Sequence, residues 1–195
     1  TDVFAGVAAD EFVDPRPWCE IIRQWSTLHP EFAFLPRKFK IAVAGSAQDR
    51  AATFVHDIGL HMQRNAAGEI GFKVIVGGGL GRTPMIGDVV REFLPAPHLL
   101  TYLDAVLRVY NRFGRRDNKY KARIKILVKA MTVAAFAAKV EEEWAHLKDG
   151  PATLTIEEIQ RVAQAFVVPQ YETLTQPDTA FQTALAEVPA FARWV

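Results

Sequence analysis

Three features of this sequence predict an α+β fold, with helices packed on a mixed or antiparallel sheet. Strand-like runs crowd the chain before Gly81, and helix-periodic runs fill most of the chain beyond it. No regular alternation of strand and helix links the two halves, which argues against a βαβ succession.

Each element has its own local signal. Asp14 suits a helix N-cap, and Pro15 and Pro17 suit the first turn before "WCEIIRQWSTL", which Pro30 should close. In "KFKIAVAG" polar and apolar residues alternate from Lys38 to Ile41, the period of a strand, before Gly45 and Ser46 open a turn. "DIGLHMQRN" and "IGFKVIVGGG" read as two strands joined at "AAGE", an antiparallel hairpin. Leu99, Leu103, Val106, Leu107 and Tyr110 recur three or four apart, the apolar stripe of a helix. "KARIKILVKAMTVAAFAAKVEEEWAHL" continues as helix, with a break expected near Thr132. Thr155 and Glu158 stand in capping-box spacing at the head of "TIEEIQRVAQAF".

With 195 residues, half of them apolar, 23% charged and a net charge of +1, the chain has the makings of an ordinary globular domain. Uncharged runs in the helical part, such as Ala130 to Ala138, are far short of the ~20 residues that span a bilayer. No basic segment followed by an apolar one opens the chain, so a cytoplasmic location and no membrane partner are expected. Cys19 is the single cysteine, which excludes an internal disulfide, a thiolate zinc site and a self-sufficient iron–sulfur cluster. The five histidines, at 29, 56, 61, 98 and 146, are scattered, and no metal ligands are assigned. A start without Met and an end in an apolar, helix-like run suggest a piece of a longer protein.

Charge is unevenly spread. Between Arg108 and Lys129 nine basic residues face Asp117 alone, a net +8. That is either a solvated helix face or a surface for an anion. Within it Arg116, Asn118 and Lys121 precede a helix, where an anion would meet its N-terminus. The loop "VGGGLGRTP" places Gly77, Gly78 and Gly79 directly after a strand, where backbone N–H groups approach a ligand closely. It fits no dinucleotide fingerprint, because Arg82 stands where the third glycine belongs, and it fits no P-loop. Lys38 and Lys40, two apart on a strand, would share one face. Two such lysines either protect an edge strand or aim together at a multiply charged anion.

The stretches "FLPRKFKIAV", "GFKVIVGGGLGRTP", "FLPAPHLLTYLDAVLRVYNRFGRRDNKYKARIK" and "FAAKVEEEW" resemble the first siroheme-binding lobe of the assimilatory nitrite and sulfite reductases, in consistent order from Phe4 to Trp144. The resemblance implies a fold like the 4Fe-4S domain of those enzymes. It places residues 1–168 in the lobe and 169–195 in a connector toward a second half. It further implies six-electron reduction of sulfite to sulfide or nitrite to ammonia, at a siroheme coupled to a [4Fe–4S] cluster, with a ferredoxin or flavoprotein as electron donor. By motif Lys38 and Lys40 match the catalytic lysines that meet the substrate, stabilising its charge and delivering protons. Arg37 and Arg123 match contacts to siroheme carboxylates, with Arg116, Asn118, Lys121 and the Gly77–Gly79 backbone as pocket neighbours.

The departures are as definite. The family holds its cluster with C-x5-C and C-x3-C motifs, and this sequence has neither. Cys19 matches no cluster ligand and reads as a packed helix residue. One lobe alone would therefore lack multi-electron turnover and would expose a surface prone to self-association, readable by sedimentation across concentrations. Two rival readings stay open: a nucleic-acid module using Tyr102, Tyr110, Phe113 and Tyr120 beside the basic run, and a tetrapyrrole binder without redox activity.

Overall fold

The computed structural model describes residues 1–167, 170 and 178–195. The expected 168/169 boundary and residues 171–177 of the connector lie outside the described residues.

The N-terminal helix α1 spans Arg16–Ser26 and a short α2 spans Pro30–Ala33. Pro30 therefore opens a helix rather than closing one, with the His29 ring accepting a hydrogen bond from the Glu31 N–H (3.3 Å). The cap of α1 falls on Pro15, while Asp14 takes the Arg16 N–H (2.9 Å) and guanidinium (2.8 Å).

Four strands form one mixed sheet in the order β1 (Ile41–Ala44), β2 (Ile58–Arg64), β3 (Ile70–Val76) and β4 (Asp88–Pro95). β1 runs parallel to β2, and the other two pairings are antiparallel. The hairpin of β2 and β3 is the one expected, closed through Asn65 and Gly68 (2.9 Å). β4 is not legible in the sequence. Arg91 and Glu92 interrupt its apolar run, and its register against β3 slips twice around Val74.

The strand expected from Lys38 begins only at Ile41. The reason lies in its partner: β2 starts at Ile58, which pairs with Ile41. The Lys40 N–H turns to the Asp57 carboxylate instead (3.0 Å). The alternation itself survives, for Phe39 turns inward to stack on Tyr110 (5.8 Å between centroids) while Lys38 and Lys40 stay exposed.

Helices cover one face of the sheet. Ile58, Leu60 and Met62 of β2 and Phe72, Val74 and Val76 of β3 share that face, two apart along each strand, and are fully buried. Trp18 of α1 meets Phe72 edge-on at 5.1 Å. α3 (Leu99–Phe113) is buried along nearly its whole length, between the sheet and α5 (Val133–Ala145). α4 (Ile124–Met131) and α5 are separate helices divided at Thr132, as the sequence suggests. Arg91 of β4 ties the outer strand to α5, pairing with Glu141 at 2.7 Å and lying over the Trp144 ring at 4.5 Å.

α6 (Ile156–Ala163) carries the expected cap, Thr155 accepting from the Glu158 N–H (3.2 Å), and packs on α1. Two further helices, α7 (Thr179–Glu187) and α8 (Pro189–Trp194), meet through Phe181 and Phe191. Among the described residues no helix is long and apolar enough to cross a membrane.

Candidate functional site

Because β1 and β2 are parallel and β3 is antiparallel to both, the start of β1, the start of β2 and the end of β3 lie at the same end of the sheet. The segment 37–40, the turn 53–57 and the glycine loop 77–84 are therefore gathered there, and the head of α4 closes the group. Between them lies a cavity of about 420 Å³. Arg37, Lys38, Lys40, Arg82, Arg123 and Lys125 bring positive charge to it, and Val55, Leu80, Tyr120 and Ile126 supply apolar surface.

These cations are of two kinds. Arg37, Lys38, Lys40 and Arg82 make no side-chain hydrogen bond or ion pair among the described residues. Arg123 and Lys125 are engaged. Arg123 donates from Nε (3.1 Å) and Nη2 (2.8 and 2.9 Å) to the carboxylate of Asp57, which is 1% exposed. Lys125 is 6% exposed, and its Nζ donates to the carbonyls of Gly79 and Leu80 (both 3.4 Å) and of Thr83. Burial pushes the Lys125 ammonium below its ordinary pKa, and repulsion from Arg123 adds to this.

The glycine loop is held by its own amides. The Gly77 N–H donates to the Asp57 carbonyl (3.1 Å), and the Gly79 N–H to that of Met85 (2.9 Å). Gly79 also leaves room for the Arg123 guanidinium, which would stand 2.9 Å from a Cβ at that position. Gly77, at φ +90°, lines an adjoining cavity with Met85, Asp88, Lys125 and Val128 instead of the basic one. The amides of Gly77 and Gly79 are thus engaged within the protein.

The structure separates the remaining expected residues from the cavity. Residues 119–121 form one 3₁₀ turn rather than a full helix, and the Asn118 side chain caps it by accepting from the Tyr120 N–H (2.9 Å). Arg116 donates to the carbonyl of Phe34 and to Asn111 (3.1 and 2.8 Å), fastening the 3₁₀ segment to α2 and α3. Lys121 is exposed and outside the cavity lining.

Sequence reasoning missed Asp57, Arg82, His56 and Lys125. Lys125 has a visible signal, a basic residue between Ile124 and Ile126 on a helix with a strong apolar face. Asp57 has little, since an acid before a strand is an ordinary turn residue. Two of the four aromatic residues near the basic run are core, Tyr102 and Tyr110, while Phe113 and Tyr120 are exposed and Tyr120 lines the cavity. The +8 stretch is correspondingly dispersed, with Arg108 on Asp104 (3.0 Å) and Glu143 (3.2 Å) and Arg115 on Asp117. Among the described residues no cluster of His, Cys, Asp and Glu is suited to a metal ion.

Comparison with known proteins is consistent with this geometry. Residues 1–148 match the family described as nitrite and sulphite reductase 4Fe-4S domain. A sulfite reductase [ferredoxin] 1 of Mycolicibacterium paratuberculosis is 35% identical over 150 residues, covering 76% of this chain and 27% of that protein. A chloroplastic ferredoxin–nitrite reductase of Arabidopsis thaliana is 30% identical over 143 residues, 71% of this chain and 24% of that one. The structure of the Mycobacterium tuberculosis NirA protein superposes with a TM-score of 0.65 at 32% identity, over 79% of this chain and 28% of that chain. The chain thus spans about a quarter of the length of these relatives.

Proposed function

Because the chain belongs to the nitrite and sulphite reductase family, we propose that it is a siroheme-binding lobe of an enzyme reducing sulfite to sulfide or nitrite to ammonia, with residues 1–168 as the lobe. One observation carries the reading: four cations without partners among the described residues, Arg37, Lys38, Lys40 and Arg82, converge on a single cavity. Like charges held together without counter-ions repel, and an anion relieves that repulsion.

The cavity suits siroheme, whose many carboxylates need cations and whose ring needs an apolar wall such as Leu80, Tyr120 and Ile126. Siroheme, when bound, supplies the iron through which electrons reach the oxyanion. Arg37 would pair with its carboxylates. Lys38 and Lys40 hold the oxyanion: their ammonium groups stabilise its negative charge and donate protons from Nζ as its oxygens leave as water. The 195 residues do not suit a [4Fe–4S] cluster, which needs four ligands where this sequence has one cysteine. Cluster chemistry, and electrons from a ferredoxin or flavoprotein donor, must therefore come through other residues, and the lobe alone is expected to be inactive.

The test pairs siroheme binding with turnover in the full-length enzyme. Lys38→Ala and Lys40→Ala should retain siroheme by absorbance, yet lose about 100-fold or more in kcat/KM for sulfite or nitrite. Unchanged turnover in both variants would refute the assignment.

A further inference from the structure

We propose that Asp57 sets the net charge of the basic cavity and positions its cations. This rests on the reading of the cavity as an anion site. The Asp57 carboxylate is buried and shared by two parts of the wall, the Arg123 guanidinium (2.8–3.1 Å) and the backbone N–H of Lys40 (3.0 Å). Its own carbonyl accepts from the Gly77 N–H (3.1 Å). One residue therefore touches the lysine segment, the glycine loop and the head of α4.

The chemistry has two consequences. A bidentate carboxylate–guanidinium pair at these distances is nearly neutral when seen from the cavity, so Arg123 forms wall rather than anion ligand. Its remaining nitrogen, Nη1, donates to the Leu80 carbonyl (3.3 Å), so all three guanidinium nitrogens are engaged within the protein although Arg123 lines the cavity. The anion then meets Arg37, Lys38, Lys40 and Arg82. Lys40 in turn is held at its backbone while its ammonium stays free to move toward the ligand.

Asp57→Asn separates charge from shape. The amide oxygen still accepts the Lys40 N–H, but the negative charge is gone and that of Arg123 is unmasked. A merely structural role would lower stability without tightening the binding of any anion. The experiment is an NMR titration of the 195-residue chain with inorganic sulfite, at constant pH and ionic strength. Asp57→Asn should bind sulfite about 3- to 10-fold more tightly, the effect of one extra positive charge at the cavity wall in a partly screened medium. The double variant Asp57→Asn/Arg123→Gln, with charge balance restored, should return to within about twofold of the wild type.

If Asp57→Asn folds and binds sulfite no more tightly, the proposal fails, while weaker binding by Lys38→Ala and Lys40→Ala would leave the cavity reading standing. If those lysine variants bind like the wild type, the cavity reading falls and the proposal with it. A second measurement needs no variant. The Arg123 Nε–H resonance of the wild type should stay in place as sulfite is added. A shift that tracks those of Lys38 and Lys40 would make Arg123 a direct ligand and overturn the proposal.

Discussion

Tyr110 shows how much a single side chain carries in this fold. Its ring is 1% exposed and stacks on Phe39, and its hydroxyl donates to the Ala122 carbonyl at 2.6 Å, so it joins the lysine segment to the turn before α4. Burial pushes its phenol up to about 12, and the nearby Asp57 carboxylate adds to the shift, while Arg116, Arg123 and Arg37 oppose it. The folded protein holds this proton more firmly than the unfolded chain, whose phenol titrates near 10. The resulting stability is therefore fully present below about pH 10 and is lost as pH rises toward 12. Tyr110→Phe should cost about 1 kcal/mol in urea unfolding at neutral pH. Between pH 10 and 12 its stability should fall less steeply than that of the wild type; parallel curves would show that Tyr110 is not the titrating group. At this scale the sequence was partly legible. Lys38 and Lys40 announced themselves by alternating with Phe39, whereas Asp57 and Lys125 act through groups that only the fold brings near, the Arg123 guanidinium and loop backbone.

At the scale of elements, the division between α4 and α5 rests on Thr132, a β-branched residue at φ +73° and ψ 150°, a region that is nearly glycine's alone. Its hydroxyl returns little, a 3.4 Å hydrogen bond accepted from the Ala135 N–H. Thr132→Gly should therefore raise stability by about 1 kcal/mol, the lower end of the usual cost of such strain. A lower melting temperature in this variant would mean that the cap outweighs the strain. The long helices were legible because their apolar stripes repeat over several turns, and the β2–β3 hairpin because β-branched residues flank a glycine turn. β4 was not, since an edge strand with a shifted register has no clean period of two. At residues 116–121 basic composition did not tell a full helix from the single 3₁₀ turn that forms there.

At the scale of the whole molecule, the core does not stop where the family match does. The match ends at residue 148, yet Leu154 and Val162 are buried in the same core as Trp18 and Ile21, and Arg161 of α6 reaches Gln24 of α1 (2.9 Å). Ending the chain at Lys148 should remove about 3–6 kcal/mol, the burial of two aliphatic side chains, a large share of a typical domain's stability. An unchanged denaturant midpoint would show α6 to be dispensable. The four cations that lack partners among the described residues have a consequence at this scale too. Crowding them without counter-ions leaves the unliganded protein under internal electrostatic pressure, which any small dianion in solution would vent. The apparent melting temperature should thus depend on buffer identity, rising from chloride to sulfate or phosphate at equal ionic strength, and Lys38→Ala should flatten that dependence. A protein handled only in phosphate would look sturdier than it is, because its solvent would already be standing in for its ligand.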